Sequence, residues 1–223
     1  MRAIVTGGGR LGVEAADGLT GAGHHVTLVE IDDDLAQRLG RDLRCRVLSG
    51  DACDPSVLEE AGALNADVLV ATTGDDEDNL VVTLLAKRQF DVPRTVARVN
   101  QVENEWLFTE RWGVDVAVSA SSSLLSQIEE ATGTADTVGL LELASAGVRV
   151  IETLIAGSSR AAGRTLAEIR LPAGTIVATV VRRSEPRVPD GSFRLEAGDE
   201  VIVVTESATP EDIHAAFQHE AGA

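Results

Sequence analysis

The sequence predicts a doubly wound parallel α/β sheet followed by a smaller α+β domain. Three observations predict it. In the first half of the chain, short segments rich in Val, Ile and Leu alternate with segments of helical periodicity. Those short segments are apolar on both faces, as strands are when helices cover both sides of a sheet. A glycine-rich turn holding Gly7, Gly9 and Gly12 separates the first strand from the first helix.

The elements follow in order. RAIVT (2–6) is the first strand, and residues 10–22 carry an amphipathic helix. HVTLVEI (25–31) leads to a helix over 32–40, and CRVLSG (45–50) to one starting near Pro55. ADVLVAT (66–72) precedes a long helix over 75–89; RTVARV (94–99) precedes a helix around 103–112; VDVAVS (114–119) closes the series. Six βα units of this kind give a Rossmann-type sheet with right-handed crossovers. After SSSLLSQIEEATGTAD the pattern changes, and Gly133 and Asp136 mark a linker. Beyond it, TVGLLELAS, VRVIETLIA, TIVATVVRR and DEVIVVT alternate with turn segments such as EPRVPDGS, and a helix near 211–218 follows. The expected domains are therefore residues 1–136 and 137–223.

Composition bounds the function. The chain has 223 residues, 44% of them hydrophobic but only 3% aromatic and none Tyr, so its cores are aliphatic. No apolar run approaches the roughly 20 residues of a membrane span, and no secretory leader is expected at the N-terminus. Cys45 and Cys53 fit no zinc spacing and read as two inert thiols. The net charge is −17, with 36 acids against 19 cations, of which Lys87 is the single lysine. Broad binding of nucleic acid or anionic lipid needs clustered cations, so both are disfavoured.

Gly7, Gly9 and Gly12 satisfy G-x-G-x-x-G between a strand and a helix, the setting in which that spacing binds a dinucleotide. Gly7 permits the turn, Gly9 admits the pyrophosphate, and Gly12 lets the helix pack on the sheet. The N–H groups of Arg10 and Leu11 open the helix and face the anion. Glu30 ends the second strand, where a carboxylate accepts both ribose hydroxyls and repels a 2′-phosphate; Asp32 competes for that role. Asp51 and Ala52 follow strand three and flank an adenine. Thr73 and Gly74 follow strand four and offer a hydroxyl and backbone donors, while Asp75 reads as an N-cap. Arg10 and Arg98 are two cations for the phosphates. No Tyr–Lys pair is possible, Lys87 lies far from this edge, His24 and His25 precede strand two at the opposite edge, and no nucleophile elbow or Walker lysine occurs. The residues describe binding without an evident reaction.

IVTGGGRLG, VTLVEID, GDACDPSVLEEAG, ADVLVATTGDDEDNLVVTLLAK and ARVN, in that order, resemble the regulator-of-potassium-conductance (RCK, or KTN) domain. AAGRTLAEIRLPAGTIVATVVRRSE and RLEAGDEVIVV resemble that family's C-terminal domain, the latter through the turn at Leu195, Gly198 and Asp199. The length is similar to single-unit soluble subunits of Trk/Ktr potassium-uptake systems. The resemblance implies a non-enzymatic cytosolic subunit that assembles with itself, as a dimer or a higher ring, under a membrane-embedded potassium transporter. NAD(H), ATP or ADP would be its ligand. Gly7, Gly9 and Gly12 would carry the phosphates, Glu30 the ribose, Asp51 and Ala52 the adenine, and Arg10 and Arg98 the outer phosphates. In ATP-responsive relatives a Pro-Glu follows strand six; here that place reads SASS, with Ser121 about where the Glu stands. The alternatives are a small NAD-dependent oxidoreductase or epimerase, and a regulatory subunit of a cation/proton antiporter.

Overall fold

The computed structural model describes residues 1–119, 121, 124–125, 128, 132, 135–143 and 147–218. The chain divides into two compact units, Met1–Ser121 and Ser122–Ala223. The expected linker, including Gly133, lies mostly outside the described residues.

The first unit is built on a six-stranded sheet in the order β3-β2-β1-β4-β5-β6. Its strands are β1 (Arg2–Thr6), β2 (His25–Glu30), β3 (Arg46–Ser49), β4 (Val68–Ala71), β5 (Arg94–Val99) and β6 (Val116–Ser119). Every pairing is parallel, with Thr6 beside Val29 on one flank and Ala71 on the other. The strand order reverses between β1 and β4, the switch point at which such sheets bind ligands. Helices α1 (Arg10–Gly21), α2 (Asp33–Asp42), α3 (Pro55–Ala61) and α4 (Asp76–Arg88) provide the crossovers. Two aliphatic cores flank the sheet. One gathers around Ile4, Val29, Leu58 and Leu69, the other around Val5 and Leu28. Burying each such Leu or Ile contributes roughly 1.5–3 kcal/mol, so the sheet is anchored with few aromatics.

One expected element differs. Residues 103–112 do not form an α-helix but two 3-10 turns, Val102–Leu107 and Glu110–Trp112. Phe108 is buried between them and draws the chain into the core, which interrupts the helical path. The single lysine is structural. Lys87 Nζ pairs with Asp115 at 2.7 Å and donates to the Pro93 carbonyl at 2.8 Å.

The second unit is an antiparallel sheet, β10-β9-β11-β8-β7, with one closing helix. Its elements are β7 (Thr137–Leu143), β8 (Val148–Leu154), β9 (Thr175–Arg182), β10 (Glu185–Arg187), β11 (Glu200–Thr205) and α5 (Pro210–Gln218). Ile151, Leu195, Val203, Ile213 and Phe217 centre its core. Strand β10 falls where the sequence suggested only a turn. It pairs with β9 across Arg183 and Ser184, whose φ values of 55° and 65° make the two-residue turn that matches strand twist. Arg182 pins this unit. Its guanidinium donates to both Asp199 oxygens at 2.7 Å, to Glu196 Oε1 at 2.8 Å and to the Arg194 carbonyl at 2.8 Å. It also lies 5.1 Å from the Phe193 ring centre. Burial pushes the Asp199 carboxyl up, but the bonds from Arg182 and the Glu196 N–H outweigh it and hold it below the usual carboxylate range.

Candidate functional site

The four glycines between Gly7 and Gly12 are not equivalent. Gly7 has φ +93°, and its N–H donates to the Val29 carbonyl at 2.8 Å. A Cβ there would lie 2.9 Å from Thr73 N. A Cβ on Gly12 would lie 1.9 Å from the Gly7 carbonyl oxygen, so helix α1 packs on its own entry loop only without a side chain. Gly8, which the sequence pattern did not single out, is constrained less strictly: a Cβ would sit 2.7 Å from Leu39 Cδ1 and 2.8 Å from Glu30 Oε2, both side-chain ends rather than backbone. Gly9 is the exception. It caps α1 with φ −68°, and a Cβ would meet nothing within 4 Å. The first-turn N–H groups behind it, including those of Arg10 and Leu11, have no intrahelical acceptor. No acidic residue lies in that turn. A loop that approaches open space as bare backbone at a helix N-terminus suits an anion.

Glu30 stands beside this loop and is buried. Its Oε2 accepts the Gly8 N–H at 2.5 Å and its Oε1 accepts the Asp32 N–H at 2.8 Å. Each charge-assisted bond contributes roughly 1.5–3 kcal/mol. Four lone-pair sites on a carboxylate leave two for ligand hydroxyls. Asp32 is committed elsewhere: it caps α2 and accepts the Leu35 N–H at 2.8 Å. Of the two carboxylates, Asp32 is therefore spent on α2, and Glu30 is the one held against the glycine loop.

The remaining residues divide. Asp51 is exposed and accepts the Cys53 N–H at 2.8 Å. Ala52 is buried within the sheet core. Burial, then Asp78 and Asp51, push the Cys53 thiol up to about 12, so it stays protonated. Thr73 is turned inward, its hydroxyl donating to the Asp75 carbonyl or to Asn79 Oδ1, each at 2.9 Å. Gly74 faces open space. Asp75 occupies the N-cap of α4, but its carboxylate makes no capping bond. Arg10 is largely exposed and pairs with Glu14 at 3.0 Å. Arg98 differs: its Nε is buried without any hydrogen-bond partner. Ser119 ends β6 and Ser121 is exposed; Ala120 and Ser122 lie outside the described residues.

A polar clamp that sequence reading missed sets the β4 and β5 loops. Asp76 is 3% exposed, and its carboxylate accepts from Asn100 N (2.7 Å), Asn100 Nδ2 (3.1 Å), Asn104 Nδ2 (2.9 Å) and Gln101 N (3.1 Å). Burial pushes this carboxyl up, but the donors together outweigh it and keep it below the usual range. Asn79 Nδ2 donates to the Arg98 carbonyl at 3.0 Å while its Oδ1 accepts the Thr73 N–H at 2.9 Å. The backbones of Arg98 and of Thr73, the neighbour of Gly74, are therefore held by one network. The sequence signal for it is a pair of amides at the edges of apolar runs, Asn79 opening LVVTLLA and Asn100 closing RTVARV. Among the described residues, no group of His, Cys, Asp and Glu could hold a metal ion.

The family model of the TrkA-N domain matches residues 3–120, and that of the TrkA-C domain matches residues 150–218. The chain belongs to the TrkA family. A Trk system potassium uptake protein TrkA of Mycobacterium tuberculosis is 38% identical over 214 residues, covering 96% of each chain. Among solved structures, the TrkA-type fold recurs in the GsuK channel bound to NAD, at TM-score 0.57 and 18% identity, over 96% of this chain and 39% of that one. GsuK bound to ADP matches at TM-score 0.50 and 28% identity, over 59% of this chain and 34% of that one. Against both, the present chain spans well under half of the channel subunit. The TrkA-N match coincides with the parallel unit, and the TrkA-C match falls within the antiparallel one.

Proposed function

We propose that this chain is a nucleotide-sensing regulatory subunit of a potassium-uptake transporter. The TrkA relative is named as part of such a system, and the related GsuK structure is described as bound to ADP. The observation that carries the nucleotide reading is Glu30, fixed at the edge of the glycine loop by the N–H groups of Gly8 and Asp32 with acceptor capacity to spare. Three features fit an adenosine nucleotide. Gly9 leaves a cradle that a side chain would fill, Arg98 holds a buried unpartnered Nε for a phosphate, and Glu30 repels a 2′-phosphate. The ligand is NAD(H), ATP or ADP rather than NADP.

The chain's own residues bind and orient; they do not react. His24 and His25 line the opposite edge of the sheet, and Lys87 is held by Asp115. Binding would tighten the loops that Asp76 and Asn79 hold together, and that change, repeated in a ring of copies, would gate the membrane partner. No helix among the described residues is long and apolar enough to cross a membrane. Attachment would run through the transporter, whose cytosolic loops carry excess Lys and Arg and so suit a chain of net charge −17.

Calorimetric titration with NADH, NAD, ATP, ADP and cyclic di-AMP tests the reading without presuming the partner. At least one adenosine nucleotide should bind, and Glu30→Ala should weaken it about tenfold or more. Affinity unchanged within twofold would remove Glu30 from the ribose role. Membranes containing the transporter should retain the chain, less so at 500 than at 50 mM salt, because the Debye length falls to about 4 Å. Vesicles of anionic lipid alone should not.

A further inference from the structure

A cavity opens in the first unit at the end of the sheet opposite the glycine loop. It measures about 430 Å³. Arg2, Arg44, Arg46, His24 and His25 line it, and no carboxylate does, in a chain that holds 36 acids. Register explains the gathering. Arg2 opens β1 directly beside His25, which opens β2, and Arg46 opens β3 beside Thr27. Three neighbouring strands thus begin with an arginine or a histidine.

The arginines here are mostly unspent. Among the described residues, Arg46 is the one arginine of the lining whose guanidinium is engaged: it donates to the carbonyl of Glu60, which lies outside the lining, at 3.0 Å and to Glu60 Oε1 at 3.2 Å. Arg2 makes its bond to Asp67 through the backbone N–H, not the guanidinium. The C-terminus of α1 also ends here, and cations favour such ends. That role does not account for them, because the Gly18, Leu19 and Thr20 carbonyls are already taken by the N–H groups of Ala22, His24 and Gly23. The rest of the lining mixes apolar side chains, Ile4, Val26 and Ala61 among them, with the neutral polar groups of Thr20, Thr27 and Asn65. A volume of this size falls within the range of small-ligand sites.

We propose that this cavity is a second anion site, which takes a small, multiply charged anion with a compact apolar part, the chemistry of an organic phosphate. It is separate from the nucleotide edge, yet β1 and β2 run from it directly to Gly7 and Glu30.

The test is an amide NMR titration of the full chain at about 50 mM salt, with phenyl phosphate, inorganic phosphate and ADP as probes. Phenyl phosphate should move the amides of Thr20, Ala61 and Asn65, and should bind at least threefold tighter than inorganic phosphate. Arg2→Glu combined with Arg44→Glu should weaken it tenfold or more, while Arg44→Lys stays within threefold of the parent. ADP should still move Gly9 and Gly74 in the double variant, which shows that it is folded. The proposal is overturned if phenyl phosphate moves only the glycine edge, moves nothing, or binds the double variant as it binds the parent. Failure of the nucleotide reading would look different: ADP would leave Gly9 unmoved while the Ala61 response to phenyl phosphate persisted.

Discussion

Arg98 in the parallel unit and Arg182 in the antiparallel unit are both partly buried cations, and they are treated in opposite ways. Arg182 spends its donors on Asp199, Glu196 and a backbone carbonyl. Arg98 keeps a buried Nε with no partner. The carboxylates mirror this. Asp199 is neutralised by an arginine, whereas Glu30 and Asp76 are held by uncharged N–H groups. A closed ion pair has nothing left to offer a ligand. A carboxylate satisfied by amides keeps its charge and lone pairs, and an unpaired guanidinium keeps its appetite for an anion. The contrast distinguishes a staple from a site within one chain.

The largest expected effect tests the staple. Asp199→Asn removes one partner of a buried pair, which costs about 3–5 kcal/mol. Both tryptophans, Trp106 and Trp112, lie in the first unit. Their fluorescence transition in urea should stay in place while the circular-dichroism transition acquires an early phase. A shift of both together would mean that the units unfold as one. Next comes Arg98→Met. Binding of the adenosine nucleotide should weaken about tenfold, the loss of a charge-assisted bond, yet the urea midpoint should not fall, because no internal bond of the Nε is broken. A drop in stability comparable to that of Asp199→Asn would erase the distinction between the two arginines.

Acid should act more gently. Asp76 and Asp199 are both held below the ordinary carboxylate pKa. A depressed folded-state value stabilises the fold above the unfolded value, near 3.9, and that stability is lost as pH falls through the folded values. Urea midpoints should agree at pH 7 and pH 5 and drop by pH 3, by about 1.4 kcal/mol per carboxylate for each unit of depression. Smallest of all is Gly9→Ala. Its Cβ meets nothing and its φ suits any residue, so stability should change by less than about 0.5 kcal/mol while nucleotide binding falls. Unimpaired binding would show that the open face of the loop is not where the ligand sits.

The contrast also separates what was legible in the sequence. The βα alternation, the glycine spacing and the position of Glu30 are local patterns, and the sheet order follows from them. Local pattern failed at β10, because Arg183 and Ser184 adopt positive φ without the Asn-Gly signal that announces such a turn. It failed at 103–112, where burial of Phe108 overrode helical periodicity. The clamp on Asp76 joins residues 24 to 28 positions apart, which only the folded topology brings together. Sequence places Arg98 at the ligand end of its strand but does not tell that its Nε is left unpaired: whether an arginine is spent depends on every acid the fold places near it.

The two oxygens of Glu30 have a consequence for how this site can change. They anchor the glycine loop and the start of α2, and in the proposed site the same carboxylate also meets the ribose. Recognition and scaffold are thus encoded in one side chain, so cofactor preference is not an independent trait here. A drift toward a 2′-phosphorylated ligand that began by replacing Glu30 would release Gly8 and Asp32 at the same step. The path to new specificity runs first through a loosened loop, and lineages of this chain are expected to cross it only after another donor or acceptor has taken over the anchoring.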